Sequence, residues 1–280
     1  MNDDLAPVSP AHPPAPWIGG KRGLARRICR ILAASRHGAY VEPFVGMGGV
    51  FLRRATRPAV EVINDVSGDV VTLFRVLQRH PEALLRELRW RPAMRVEFDR
   101  LKGARVQDLT DIERAARLLY LQHLAYAGKV SGRNFGTDAT QPHVFDIGRL
   151  APRLEAIHAR LAGVVIEHLD WSELLPRYDR RATLFYLDPP YWGSEDDYGS
   201  GLFGPADFAR LAAALEALQG RFLLSINDVP EIRGLFAWAD IEPIETWYGV
   251  AGGAKGSVAK ELLIGRGLAL QAAEPQARLI

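Results

Sequence analysis

Four apolar segments of this chain run directly into polar or glycine-rich turns, and this repetition limits the architectures open to it. Tyr40–Val45 enters Gly46–Gly49, Val60–Asn64 ends in Asp65, Val164–His168 precedes Asp170, and Thr183–Leu187 enters Asp188-Pro189-Pro190-Tyr191. Short runs rich in β-branched and aromatic residues, closed by turn residues, read as buried strands. Helical spacing of apolar residues marks Gly23–Ala34, Val50–Arg54, Val70–Gln78, Arg149–Leu161, Pro205–Leu218 and Glu231–Ala237. Parallel strands need a crossover between them, so strands alternating with helices predict a doubly wound α/β sheet. Phe222–Ile226, Ile241–Thr246 and Glu261–Gly265 complete a mostly parallel sheet of seven strands. The last two lack an intervening helix and should pair antiparallel.

The alternation breaks between His80 and Leu150. Pro81–Leu88, Pro92–Leu101 and Thr110–Ala127 read as helices, followed by a Gly/Ser/Asn/Thr-rich loop, Gly128–Pro142. Residues 1–16 are polar, rich in Pro and Ala, and carry no apolar period. The expected organisation is a mobile tail (1–16), a sheet domain (17–79 and 150–270) and a helical insert (80–149).

No apolar run reaches the ~20 residues needed to cross a bilayer, and no signal peptide is evident, so a cytoplasmic protein is expected. The single cysteine, Cys29, excludes an internal disulfide and a cysteine-held zinc or iron–sulfur centre. The seven histidines show no ligand spacing, so no metal is expected. Cys29 lies in a basic helix away from the motifs, which argues against a cysteine nucleophile. The charge is nearly balanced, 35 basic against 33 acidic residues, but unevenly distributed. Lys21, Arg22, Arg26, Arg27, Arg30 and Arg36 share a stretch without acidic residues, and Leu85–Arg133 carries eleven basic against six acidic residues. Such stretches suit a polyanion.

Glycines directly after a strand permit a sharp turn and close approach of a ligand to the backbone. Gly46-Met47-Gly48-Gly49 lacks the third spaced glycine of a dinucleotide fingerprint and the Gly-Lys-Ser/Thr of a P-loop. Asp65 fits two readings equally: an acceptor for ribose hydroxyls, or a cap for the following helix. Asp170 is likewise either a contact to a bound adenine or the N-cap of Trp171–Leu175. In Asp188-Pro189-Pro190-Tyr191, proline restricts both its own φ and the residue before it. The result is a rigid shelf offering a carboxylate, a carbonyl and a flat ring. An exocyclic amine has two N–H bonds to donate, which Asp188 and the Pro189 carbonyl can accept while Tyr191 stacks on the attached base.

These motifs, in this order, resemble the D12-class, Dam-type DNA adenine-N6 methyltransferases. The resemblance runs from Trp17 to about Arg266. It includes Trp17-Ile-Gly-Gly-Lys21, Glu42-Pro43-Phe44-Val45-Gly46-Met47-Gly48, Asn64-Asp65, Asp188–Tyr191 and Ser225-Ile-Asn227-Asp228. It implies a Rossmann-like class I methyltransferase fold, S-adenosylmethionine as cofactor and double-stranded DNA as partner, with a cognate restriction endonuclease a further candidate partner. It also implies catalytic roles for Asp188, Pro189, Pro190 and Tyr191. Cofactor contacts would come from Trp17, Lys21, Glu42, Pro43, Phe44, Gly46, Gly48, Asp65, Asp170 and Asp188. The insert becomes a target-recognition element, with Lys129, Arg133 and Asn134 as candidate DNA contacts or, equally, solvated loop residues. Lys129–Gly136 does not match the corresponding loop of GATC methylases. Lys255 and Lys260 are candidate phosphate contacts or parts of a hairpin loop. Methylation of cytosine N4, methylation of RNA adenine, and a catalytically silent DNA-binding regulator are the competing readings. A nicotinamide-dependent oxidoreductase is disfavoured by the missing glycine.

Overall fold

The computed structural model describes residues 5–17, 19–21, 23–125, 132–136, 145–194, 203–248 and 257–271. Two short strands, β1 (Ala6–Pro7) and β3 (Thr56–Arg57), pair antiparallel. The other seven form one sheet: β2 (Ala39–Glu42), β4 (Val60–Asn64), β5 (Val165–Glu167), β6 (Thr183–Leu187), β7 (Arg221–Asn227), β8 (Asp240–Tyr248) and β9 (Ser257–Gly265). Their spatial order is β5-β4-β2-β6-β7-β9-β8. β5, β4, β2, β6 and β7 are mutually parallel, while β9 runs antiparallel to both β7 and β8. The chain builds outward from β2 to β4 and β5, then returns to place β6 on the other side of β2. That reversal opens a crevice at the carboxyl ends of β2 and β6, where doubly wound sheets bind ligands.

Alternation along the strands separates two apolar layers. Tyr40, Ile63, Leu184 and Tyr186 face one core, closed by α1 (Ala25–Ala34), α2 (Gly68–Arg79) and α6 (Ile147–Arg160). Val41, Val62, Phe185 and Leu187 face the other, closed by α7 (Trp171–Tyr178), α8 (Pro205–Ala217) and α9 (Pro230–Leu235). All five residues of β6 are buried, as a central strand covered on both faces requires. Among the described residues, no helix is long and apolar enough to cross a membrane.

The structure corrects several expectations. Residues 5–16 are not a mobile tail. Besides β1, the Val8 and Ala11 amides donate to Ala55 and Leu52 carbonyls at 2.9 and 2.7 Å, and Ala11 and Ala15 are buried. The segment is a strap held by its backbone, so it needs no hydrophobic period. The strand expected over 40–45 stops at Glu42, because Pro43 has no N–H for a ladder. Only a 3-10 turn, Phe51–Arg53, stands where a helix was expected over 50–54.

The insert contributes α3 (Pro81–Arg89), α4 (Arg95–Gly103) and α5 (Asp111–Leu124), the last started by a Thr110/Glu113 capping box. It does not stand apart from the sheet domain. Leu84, Leu88, Ala115 and Leu119 share one core with Leu73, Leu77, Leu154 and Ile157. Much of its positive charge is also paired: within the insert Arg91 pairs with Glu87 and Glu97, Arg100 with Glu97 and Arg105 with Asp108, and Arg114 pairs with Asp69 of α2.

Candidate active site

β2 delivers the turn Pro43–Gly49 to the carboxyl edge of the sheet. Gly46 and Gly48 adopt φ of 49° and 73°. A Cβ on Gly46 would lie 2.9 Å from Trp17 Nε1, and one on Gly48 2.9 Å from the Leu52 side chain. Both positions therefore demand glycine on conformational and steric grounds. The neighbouring strand end holds this turn in place. The Gly46 N–H donates to Asp65 Oδ2 and the Ser67 N–H to Asp65 Oδ1, each at 2.9 Å. Asp65 therefore staples the turn to β4, and Ser67, not Asp65, occupies the N-cap position of α2. Asn64 is buried and ties three strand ends together. Its amide donates to the Pro43 and Leu169 carbonyls at 2.9 and 3.0 Å, and its carbonyl accepts from the Leu169 N–H at 2.9 Å.

β6 delivers Asp188 next door. The ammonium of Lys21, 2% exposed, lies 2.7 Å from Asp188 Oδ1. It also donates to Tyr191 Oη at 2.7 Å and to the Gly19 carbonyl at 3.2 Å. The Lys21 backbone nitrogen would sit 3.7 Å from a Cβ on Gly49. Trp17 thus lies against the glycine turn, and Lys21 against the catalytic-motif candidate. Ser225 donates to Asp188 Oδ1 at 3.2 Å and is itself 2.8 Å from Tyr186 Oη. Asn227 clamps the far side of the shelf: the Trp192 N–H donates to its Oδ1, and its amide donates to the Trp192 carbonyl, both at 3.0 Å.

Among the described residues, this edge gathers several carboxylates around the single ammonium of Lys21. Burial pushes Asp188 up to about 6, against the opposing pull of Lys21, while Glu261 pushes it higher. Burial raises Glu42 to about 8, although Tyr40 Oη donates to it at 2.5 Å. Asp65 rises to about 6, again through burial. Such a set suits a ligand that brings positive charge or N–H donors.

A family model described as D12 class N6 adenine-specific DNA methyltransferase matches residues 17–250, which include Trp17, Lys21, the glycine turn, Asn64-Asp65, the Asp188 shelf, Ser225 and Asn227 but not Glu261. The chain belongs to this family. Among similar proteins, the type II methyltransferase M.CviBI of Paramecium bursaria Chlorella virus NC1A is 23% identical over 79% of this chain and 84% of its own length. The type II methyltransferase M1.LlaDCHI of Lactococcus lactis subsp. cremoris is 29% identical over 42% of this chain, an alignment that spans 43% of the lactococcal protein. A DNA adenine methylase of Vibrio cholerae is 37% identical over 26% of each chain.

Within this D12-class chain, the remaining candidates are distributed as follows. Pro189 is buried and Pro190 partly buried, as part of the shelf. Phe44 packs edge-on against Phe203, with ring centroids 6.0 Å apart. Asp170 Oδ1 accepts from the Ser172 N–H at 2.9 Å and caps α7. Arg133 donates to Gln122 at 3.2 Å and is half-buried, whereas Asn134 is exposed. Lys129 and Lys255 lie outside the described residues; Lys260 is exposed on β9. Cys29 is closer to the motifs than expected. Its thiol lies 3.8 Å from the Val50 carbonyl, and burial raises it to about 11, which keeps it a neutral thiol.

Ser225, Asn227, Tyr186 and Glu261 belong to this site although sequence reasoning gave them no role there. Polar residues at alternate positions of an apolar strand, Ser225 and Asn227, do carry a signal, since they must share a face. Glu261 stands opposite Asn227 in the β7–β9 ladder and is fully buried, which only the register reveals.

Proposed function

We propose that this protein transfers a methyl group from S-adenosylmethionine to adenine N6 within a specific sequence of duplex DNA, after flipping the base out of the helix. One observation carries the reading: Asp188 lies in the crevice beside the glycine turn, its carboxylate already bound by an N–H donor, the Lys21 ammonium, at 2.7 Å. The cofactor fits the residues present. The glycines bring the turn's backbone directly against Trp17, the Asp65 carboxylate sits at the strand end suited to a ribose, and the under-compensated Glu42 and Asp188 favour a cation. Trp17, Lys21, Glu42, Pro43, Phe44, Gly46, Gly48, Asp65, Asp170 and Asp188 would form its surroundings. When bound, it supplies an electrophilic methyl on a sulfonium.

The protein's own groups prepare the acceptor. A target adenine within a duplex is out of reach of the shelf, and stacking on Tyr191 returns ~1–3 kcal/mol of the unstacking cost. Asp188 and the Pro189 carbonyl accept the two amine hydrogens. These bonds favour a pyramidal nitrogen with its lone pair free of the ring. Asp188 then stabilises positive charge where it develops on that nitrogen, a form of preorganised electrostatics. With its pKa raised to about 6, Asp188 can also accept the proton the nitrogen must lose. Asn227 keeps the shelf from shifting. The insert and the loop bearing Lys129, Arg133 and Asn134 would position the duplex and read bases.

Purified protein, methyl-labelled S-adenosylmethionine and mixed-sequence duplex DNA should yield labelled N6-methyladenine, and Asp188→Ala should abolish it. Label on cytosine N4 alone, or on RNA in preference to DNA, would replace this reading.

A further inference from the structure

We propose that Gln122 is a positioning residue that couples the DNA-reading loop to the cofactor-binding segment, so that filling either site favours filling the other. The proposal rests on the reading above of residues 17–21 and 132–136. Gln122 is fully buried in the last turns of α5, between Leu121 and His123. An amide in a core position is tolerated when its groups are bonded. Here the two ends of one amide reach two different segments. Its Nε2 donates to the Pro16 carbonyl at 3.1 Å, and its Oε1 accepts from Arg133 Nε at 3.2 Å.

Each partner leads to a functional element. Pro16 immediately precedes Trp17, which lies against Gly46, and Lys21 on the same short segment binds Asp188. The adjacent His123 supports this attachment, its Nε2 lying 2.8 Å from the Pro14 carbonyl. Four prolines among residues 10–16 carry no N–H, so this end of the strap is held through carbonyls, and those of Pro14 and Pro16 are partnered by α5. On the other side, Arg133 belongs to a loop fixed by the Ala125–Phe135 bridge and by the Gly136 N–H, which donates to the Leu124 carbonyl at 2.8 Å. Phe135 packs edge-on against Phe98, with centroids 5.4 Å apart. A ligand that orders the strap also fixes the amide that orients Arg133, and the converse holds. Ordering shared in this way produces coupling, which must be equal in both directions.

The test is the affinity for S-adenosylhomocysteine, measured by calorimetry with and without a duplex carrying the site found by the methylation experiment above. The native protein should bind at least about fivefold tighter with the duplex, within the usual range of coupling between sites. In Gln122→Leu and in Arg133→Met that ratio should fall to near one. Gln122→Glu, which keeps the acceptor for Arg133 but loses the donor to Pro16, should lower it as well. A purely structural role would reduce melting temperature or both affinities while leaving the ratio unchanged. A native ratio of one, or a native-like ratio in the variants, overturns the proposal. If Gln122→Leu does not fold, Gln122→Glu decides, measured at duplex concentrations that saturate the variant, since Arg133 is itself a proposed DNA contact. A native protein that binds neither ligand refutes the functional reading instead, a different outcome from loss of the ratio.

Discussion

Glu61 and Asp188 are carboxylates of the same sheet, one near the amino end of β4, the other just past the carboxyl end of β6. Glu61 is surrounded by more than enough positive charge. Arg54 donates to it at 2.7 Å, and Arg160 donates to both of its oxygens at 2.7 Å. The guanidiniums stack in turn on Tyr40 and Phe51, 3.7 and 4.1 Å from the ring centroids. His37 completes the cluster as a neutral acceptor for Arg54, its pKa lowered by burial to about 4. At the other edge Asp188 has one ammonium, and Glu42, Asp65 and Glu261 crowd the same region. The first arrangement is closed and holds strands and helices together. Among the described residues, the second has fewer positive charges than carboxylates, which is the condition for taking a ligand that supplies positive charge or N–H donors.

Breaking the closed cluster should produce the largest change in stability. Glu61→Leu leaves two buried guanidiniums without their carboxylate, and losing one partner of such a cluster costs ~3–5 kcal/mol. Urea unfolding should show that loss; a loss under about 1 kcal/mol would mean the arginines find other partners.

Lys21→Met sharpens the contrast from the other side. Removing the ammonium leaves burial and Glu261 to push Asp188 above its present value of about 6. The acid limb of the kcat–pH profile, set by protonation of Asp188, should therefore move towards neutral pH, and kcat at pH 7 should fall by about 10²-fold, the scale of one lost electrostatic contact. A profile with an unmoved acid limb would separate Lys21 from Asp188.

Asp65→Ala removes the acceptor of the Gly46 and Ser67 amides. Cofactor affinity measured by calorimetry should weaken about tenfold, as expected for one or two lost hydrogen bonds.

The stability of the ligand-free protein should also depend on pH in a definite direction. Glu42, Asp65 and Asp188 have folded pKa values of about 8, 6 and 6, above their ordinary values of 4.5, 3.8 and 3.8. The folded state then binds more protons than the unfolded one. The resulting stabilisation is complete below the unfolded values and is lost as pH rises through about 6 and then about 8. Melting temperature should decline between pH 5 and pH 9, and Glu42→Gln should flatten the upper part of that decline. The smallest effect belongs to Asp170→Ala, which removes a helix cap and should cost ~1 kcal/mol of stability.

What could be read from the sequence follows the same division. β6 and its shelf were legible because four consecutive apolar residues, Leu184–Leu187, running into Asp-Pro-Pro-Tyr constrain the backbone locally. The glycine turn was legible for the same reason. Lys21 could be marked as important but not paired with Asp188, since the contact spans 167 positions and depends on the crevice. The link from Arg160 to Glu61, 99 positions apart, had no local trace at all. The strap at 5–16 was misread because carbonyls and small buried alanines hold it, and neither contributes to hydropathy patterning.

The most direct test of the central claim is single-turnover methyl transfer with Asp188→Asn on a duplex containing the target site. Asparagine keeps the shape and one acceptor oxygen but removes the charge. The account predicts that DNA binding remains within about threefold of native while the transfer rate at saturating cofactor falls by at least about 10²-fold. A transfer rate within threefold of native would contradict it, because the amine would then be activated without the Asp188 carboxylate.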